Sequence, residues 1–211
     1  MVYLGFCDPI VGPVTPGNPV WYLADLDQGV DAGKAAALLA GLGSVNRTRD
    51  GILIDAHGRP VRFTLLVEPG SATRDRGAAF IRDELKKIGI GVDLVQKGSA
   101  DATYGRVEID DTDPAMSLDV WITPSPATDW QRQLNALMLK VAATSDRVER
   151  LQRFAEAQRL LAQHMPAVYL GAPYVYVATS PRVLNAKPSR QRPSLLWDAE
   201  ALARTGTPVA Q

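Results

Sequence analysis

The stretch Asp50–Gln96 constrains the fold more than any other part of the sequence, because its pattern changes from strand to helix and back to strand. Two β-prone segments, Ile52–Ile54 and Val61–Glu68, flank a turn sequence containing Asp and Gly and predict a hairpin. Apolar residues then recur at helical spacing, and Gly89 ends the helix before a strand at Val92–Val95. A strand, a helix and a second strand in this order form a βαβ unit, so the sequence predicts an α/β domain.

The composition narrows the function classes. The chain has 211 residues, of which 46% are hydrophobic, so it is long enough for a buried core. Lys and Arg together number 23, as do Asp and Glu, so we expect no nucleic-acid partner. The single cysteine, Cys7, rules out an internal disulfide and a cysteine-based zinc site. No apolar stretch has the length of a membrane span, and the first residues lack the basic start and long apolar core of a signal peptide.

The sequence contains few residues or motifs that could form a catalytic site or a metal-binding site. The two histidines, His57 and His164, lie far apart, and neither has a Cys or Glu nearby at metal-ligand spacing. The chain has no phosphate-binding loop of the type G-x-x-x-x-G-K-[ST], no G-x-S-x-G and no H-E-x-x-H. We therefore expect neither an enzyme nor a bound cofactor or metal ion.

Further elements are predicted on both sides of the βαβ unit. A helix is expected over Asp31–Leu42, with Asp31 as its N-cap. Apolar residues at Leu118–Ile122 predict a short strand, and Val168–Thr179 is a longer β-prone run. An antiparallel helix pair lies between them, because Thr128 with Gln131, and Asp146 with Glu149, have the spacing of capping boxes ahead of apolar stripes.

These segments resemble the C-terminal lobe of the extracytoplasmic solute-binding proteins of family 5, which serve peptide and nickel ABC transporters. The Asp50–Gln96 stretch is similar to that family's DGDGIL–DGKPL–FTLL sequence, with its helix ending like LKKIGI and its strand like VDL. Further resemblances occur, in chain order, at GPVTPGNPVWY (Gly12–Tyr22), DAGKAAALLAGLG (Asp31–Gly43), SPATDWQRQLNALM (Ser125–Met138), RLLAQHMPAVYLGAP (Arg159–Pro173) and SLLWDAEAL (Ser194–Leu202).

The resemblance implies an α/β fold like the second, C-terminal lobe of a type II periplasmic binding protein, with a mixed sheet flanked by helices. It implies that the lobe covers residues 23–202. The glycines and prolines of residues 1–22 predict an extended segment ahead of it, and residues 203–211 are expected to form a flexible tail. The resemblance also implies a partial substrate-binding component of an ABC transporter, which binds peptides or a related small solute for uptake. Such a protein works with a membrane permease in the periplasm or cell envelope, and the N-terminal lobe of the family is missing from this sequence.

The resemblance further implies a ligand site. Asp110, together with Asp113-Pro114, matches a D-x-x-(D/E)-P pattern in which the family's Asp pairs with the α-amino group of a peptide. Asp111 is the second candidate for this role, since a loop easily shifts by one residue. Trp121 is expected among the aromatic residues that line the ligand cleft. The alternatives are a solvated loop for the aspartates and a core position for Trp121.

The segment between Val95 and the D-x-x-D-P pattern departs from the family. Relatives place a helix and a strand there, whereas residues 96–109 are too few for both, so a core strand of the lobe is expected to be missing. The sheet would then be narrower, or another segment would repair it. Two alternative functions stay open: an incomplete fragment that binds nothing alone, and an interaction module that pairs with a separately encoded N-terminal lobe or with itself.

Overall fold

The computed structural model describes residues 5–26, 31–41, 43, 46–110, 112–189, 196 and 198–205. The helices in these ranges are α1 Ala32–Gly41, α2 Ala72–Lys87, α3 Leu118–Trp121, α4 Asp129–Ala143 and α5 Arg147–His164. The strands are β1 Cys7–Asp8, β2 Asn46–Arg47, β3 Leu53–Ile54, β4 Arg62–Val67, β5 Gly91–Val95, β6 Ala102–Tyr104, β7 Ala172–Pro173, β8 Val183–Leu184 and β9 Ala203–Arg204. The chain divides into two compact units, of which the first is centred on residues 28–107 and the second combines 6–27 with 108–211.

The first unit is built around the βαβ segment. Helix α2 begins at the N-cap Ser71, whose hydroxyl oxygen accepts a hydrogen bond from the Arg74 amide at 3.3 Å. It ends in a Schellman motif, in which the amides of Gly89 and Ile90 donate to carbonyl oxygens of the last helical turn. Gly89 has a φ of 94°, a left-handed conformation that favours glycine, so the sequence signal for the end of the helix is confirmed.

Strand β4 lies between β5 and β6, and both neighbours run parallel to it. Helix α2 packs on β4 and β5. The buried residues of this core are Leu65, Val67, Ala78 and Val92. The predicted hairpin ahead of β4 is also present, because Ile54 bridges Pro60 in antiparallel register. The α/β fold class and the βαβ unit are therefore confirmed.

The expectation that a core strand would be missing after residue 95 is wrong. Ala102–Tyr104 pairs with β4 in the register Leu65 to Ala102. Asp101 anchors this strand, because its Oδ2 accepts hydrogen bonds from the amide and the hydroxyl of Thr64, both at 2.7 Å. Three residues suffice for the strand, and no helix lies between β5 and β6, where the structure describes every residue.

The second unit has a helical core. Helices α4 and α5 pack on each other, and each has a hydrogen bond at its predicted cap. The Thr128 amide donates to Gln131 Oε1 at 3.1 Å, and the Glu149 amide donates to Asp146 Oδ1 at 2.8 Å. Pro166 follows α5, whose C-cap Met165 is left-handed with a φ of 45°. The buried residues of this core are Val14, Ala115, Trp121, Leu134, Met138, Val141, Phe154, Ala157 and Leu161.

Two predicted strands of the second unit need correction. Leu118–Trp121 is a helical turn and not a strand, because Leu118 and Trp121 both pack on the helical core and three-residue spacing places them on one side. Of the run Val168–Thr179, Ala172–Pro173 pairs with Cys7–Asp8, while the structure assigns the remaining residues to no strand. The predicted domain boundaries at 22 and 202 stay predictions. None of the described helices is both long and apolar enough to cross a membrane.

Candidate functional site

Asp110 forms a turn with Thr112 and Asp113, and we call the described residues 110 and 112–114 the Asp110 turn. The Oδ1 atom of Asp110 accepts hydrogen bonds from the amides of Thr112 and Asp113, both at 2.7 Å. The Asp110 amide donates to the Ser117 hydroxyl oxygen at 2.9 Å. These bonds fix the carboxylate relative to the backbone, and the residue is exposed.

The two carboxylate oxygens of Asp110 have different roles. Oδ1 is engaged by two backbone amides, whereas no hydrogen bond or ion pair to Oδ2 occurs among the residues that the structure describes. A carboxylate is an acceptor with about four lone-pair positions. Asp110 therefore combines a fixed orientation with remaining capacity to accept from a cationic donor.

An ion pair from the helical core holds the other end of the Asp110 turn. Asp113 Oδ2 lies 2.5 Å from Nη1 of Arg150 on α5, and the two side chains are only 24% and 19% exposed. The Arg150 guanidinium carbon is 5.5 Å from the ring centre of Trp21, which suits a cation–π contact. Asp113 Oδ1 and Arg150 Nε are buried and have no hydrogen-bond partner in the described part of the chain.

Two indoles fix the backbone of the turn, one on each side of Asp113. Trp21 Nε1 donates to the Thr112 carbonyl oxygen at 3.1 Å, and Trp121 Nε1 donates to the Pro114 carbonyl oxygen at 2.8 Å. Both indoles lie edge-to-face against Phe154, each with ring centres 5.5 Å apart. We call Trp21, Trp121 and Phe154 the aromatic platform.

The three residues predicted for the ligand site have different outcomes. Asp110 lies in an exposed turn with Asp113, a position that the ligand role and the alternative of a solvated loop both allow, so its ligand role stays a prediction. Asp111 lies outside the described residues. Trp121 is 3% exposed and packs within the core, which is the alternative position that the sequence analysis gave for it. Its contact with a ligand stays a prediction.

Sequence reasoning did not single out Arg150 or Trp21 for this site. A signal for Arg150 was present, because it precedes the buried Phe154 by four residues and so lies on the apolar stripe of α5. An arginine on a buried stripe requires an acidic partner. The partner, Asp113, is distant in sequence, so the pairing itself was not visible.

The remaining titratable candidates form no catalytic arrangement. His57 lies in the β3–β4 turn, and His164 stacks on Trp130 with ring centres 4.9 Å apart. Burial, and secondarily Asp8, raises the pKa of the Cys7 thiol, which makes it a weaker nucleophile. The described ranges contain no group of three or more His, Cys, Asp or Glu side chains placed to hold a metal ion.

Comparison with known proteins decides the family. Residues 2–137, more than half of the chain, match the family model described as bacterial extracellular solute-binding proteins, family 5, middle. The chain belongs to family 5. Members of family 5 bind small solutes such as peptides or nickel, work with ABC transporter permeases and are not enzymes.

Individual relatives agree with this membership. A probable ABC transporter-binding protein of Deinococcus radiodurans is 33% identical over 91 residues, which are 43% of this chain. The oligopeptide-binding protein OppA matches 81% of the chain with a TM-score of 0.70 and 15% identity. NikA from Brucella suis, solved in complex with Fe(III)-EDTA, matches 80% with a TM-score of 0.67 and 17% identity. Both solved structures therefore share the fold of this family 5 chain.

This family 5 chain spans a minor part of each relative. The matched region covers 15% of the Deinococcus protein. The structural matches cover 34% of OppA and 37% of NikA. Family and fold are thus established for the chain, and its solute and its partners are matters for a proposal.

Proposed function

We propose that this chain forms part of the solute site of an ABC uptake system in the cell envelope, and that its solute is a peptide or related small molecule with a free ammonium group. Asp110 is the residue proposed to bind that group. The observation that carries the proposal is the geometry of the Asp110 turn: one carboxylate oxygen is held by two backbone amides in a side chain that is exposed.

The physical argument concerns the cost of removing an ammonium group from water. An ammonium group that leaves water needs an anionic partner, and hydrogen bonds between ionised groups are about twice as strong as neutral ones. The partner is most effective when its orientation is already fixed, because binding then costs less conformational entropy. The two amides on Asp110 Oδ1 provide this orientation before any solute arrives.

A second observation supports the proposal over a simple surface loop. The aromatic platform and the Arg150–Asp113 ion pair connect the turn to a buried core through Thr112, Asp113 and Pro114. A loop that is only exposed to solvent would not need these contacts with the core. Family membership supplies the transport context, in which the permease is the proposed partner.

The test is native mass spectrometry of the purified 211-residue chain with the tripeptide Ala-Ala-Ala and with its N-acetylated form. We expect a complex with the free-amine tripeptide and at least tenfold less with the acetylated one. Asp110→Asn should remove this preference. Asp55→Asn is the matched control, because Asp55 also accepts two backbone amides in a turn, from His57 and Arg59.

Three outcomes would contradict the proposal. Equal capture of the two tripeptides by the wild-type chain would mean that no carboxylate recognises the amine. A bare monomer at millimolar tripeptide would favour the fragment that binds nothing alone, and a bare dimer would favour the interaction module.

A further inference from the structure

We propose that Arg150 is a positioning residue for the Asp110 carboxylate, which it orients through Asp113. Its effect on solute binding depends on the function proposed above, whereas its effect on the geometry of the turn does not. Arg150 lies forty residues beyond Asp110 in the sequence and belongs to α5, so the connection arises from the fold.

The first step runs from Arg150 to the turn. Its Nη1 is 2.5 Å from Asp113 Oδ2, and the amide of the same Asp113 donates to Asp110 Oδ1 at 2.7 Å. Asp113 therefore bonds to Arg150 through its side chain and to Asp110 through its backbone. A shift of Asp113 moves one of the two donors that fix the Asp110 carboxylate.

The second step runs through Trp21. The Arg150 guanidinium lies over the Trp21 ring, and Trp21 Nε1 donates to the Thr112 carbonyl oxygen at 3.1 Å. The amide of Thr112 is the other donor to Asp110 Oδ1. The Thr112 carbonyl and the Asp113 amide belong to one planar peptide group, so Trp21 and the Arg150–Asp113 ion pair hold the same donor. The Thr112 amide lies on the residue whose carbonyl Trp21 fixes.

The third step concerns what kind of side chain the position needs. The Arg150–Asp113 pair is partly buried and rests on the single Nη1–Oδ2 contact, while Arg150 Nε and Asp113 Oδ1 have no partner in the described ranges. One cationic nitrogen makes the contact with Asp113, and lysine supplies one. A lysine ammonium can also lie over the Trp21 ring, although it lacks the planar face of the guanidinium, so Arg150→Lys should keep both contacts in weaker form. Methionine fills a similar volume without a charge, so it should leave Asp113 as an unpaired, partly buried carboxylate.

The test is amide hydrogen exchange by NMR in Arg150→Met and Arg150→Lys. We expect Arg150→Met to raise the exchange rates of the Thr112 and Asp113 amides at least tenfold relative to the Met138 amide in the core. Arg150→Lys should restore both rates to within about threefold of wild type. Arg153→Met is the matched control, because Arg153 lies on the same helix and pairs with Glu149 at its surface.

The proposal fails if Arg150→Met accelerates exchange equally at Thr112, Asp113 and Met138, since that is the signature of general destabilisation. It also fails if Arg150→Lys behaves like Arg150→Met. Should Arg150→Met not fold, Asp113→Asn removes the same ion pair at nearly unchanged volume and must give the same local increase.

Titration with Ala-Ala-Ala separates this proposal from the function on which it rests. If Asp110 binds the amine, Arg150→Met should weaken binding at least tenfold, and Arg153→Met should leave it within twofold. If the wild-type chain binds no tripeptide, the proposed function fails, and the exchange rates still decide whether Arg150 positions the turn.

Discussion

Two aspartates of this chain make the same kind of turn with different support. Asp55 Oδ1 accepts from the amides of His57 and Arg59, as Asp110 Oδ1 accepts from those of Thr112 and Asp113. The second oxygen of Asp55 is taken by the Arg59 side chain, whose Nε lies 3.0 Å away. The second oxygen of Asp110 has no such partner within the described residues.

The difference shows how a turn becomes available for binding. The Asp55 turn is complete within five residues, since its own arginine neutralises the carboxylate. In the Asp110 turn a distant arginine neutralises Asp113 instead, and the aromatic platform holds the backbone. The positive charge of Arg150 therefore pairs with Asp113 and not with Asp110, so the Asp110 carboxylate can still accept hydrogen bonds from a solute.

Removing the centre of the aromatic platform should have the largest effect on stability. Phe154 is fully buried between two indoles, so Phe154→Ala should lower the free energy of unfolding by about 3–5 kcal/mol. Urea denaturation measures this change. Phe80→Ala, at a side chain that is half exposed on α2, is the control and should change stability by at most about 0.5 kcal/mol. A loss below about 1 kcal/mol for Phe154→Ala would mean that the platform does not support the unit.

The Asp55 turn should instead depend on its own glycine. Gly58 has a φ of 79°, and a Cβ added at this position would meet no atom within 4 Å, so Gly58→Ala adds backbone strain alone. We expect a loss of about 1–2 kcal/mol in the free energy of unfolding. Gly105→Ala is the control, because Gly105 lacks a positive φ and its nearest neighbour would be 4.0 Å away. If both substitutions lowered the free energy of unfolding equally, Gly58 would not need the left-handed conformation that the turn shows.

Acid should weaken the Asp55 turn with a definite sign. The backbone amide of Arg59, with smaller contributions from its side chain and from the His57 amide, lowers the pKa of the Asp55 carboxyl. Because the folded-state pKa is below the unfolded value of about 3.9, the stabilisation is present above that pH and is lost as pH falls through the folded-state pKa. Unfolding measured between about pH 5 and pH 2 should show a shallower decline for Asp55→Asn than for wild type. If stability fell equally with pH in Asp55→Asn and in wild type, the Asp55 carboxylate would make no contribution to the acid dependence of stability.

The smallest effect is expected at the ion pair of the Asp55 turn. The Arg59 side chain is 73% exposed, and exposed pairs contribute little. Arg59→Ala should therefore leave thermal unfolding unchanged within experimental error. A clear loss of stability would mean that the local arginine supports its turn as strongly as Arg150 is proposed to support the other.

The sequence predicted those parts of the molecule whose signals are local. The structure confirms the periodicity of α2, the glycine at its end and the caps of α4 and α5. Each of these signals lies within a few residues of the element that it defines. The mostly apolar residues 118–122 predicted a strand, yet residues 118–121 form a helical turn in which Trp121 packs on Phe154. Local pattern could not reveal that tertiary contact.

The candidate site was predictable only in its local part. The spacing of Asp110 and Asp113-Pro114 singled out these residues, with a ligand role or a solvated loop as the two interpretations, and the structure joins Asp110 and Asp113 in one turn. The support from Trp21 and Arg150 joins residues that are about ninety and about forty positions from the turn, and no motif spans such distances. Strand β6 was missed for a similar reason, because three residues are too few to give a periodic signal without their partner β4.

The most direct test places both turns in one experiment. A ¹⁵N-labelled chain is titrated with Ala-Ala-Ala and then with N-acetyl-Ala-Ala-Ala, while the amide signals of Thr112 and Asp113 are compared with those of His57 and Arg59. We predict that the free-amine tripeptide shifts the Thr112 and Asp113 signals, that the acetylated one does so at least tenfold more weakly, and that the His57 and Arg59 signals stay in place. Unmoved Thr112 and Asp113 signals, or equal shifts in both turns, would contradict the assignment of Asp110 as the solute-binding carboxylate.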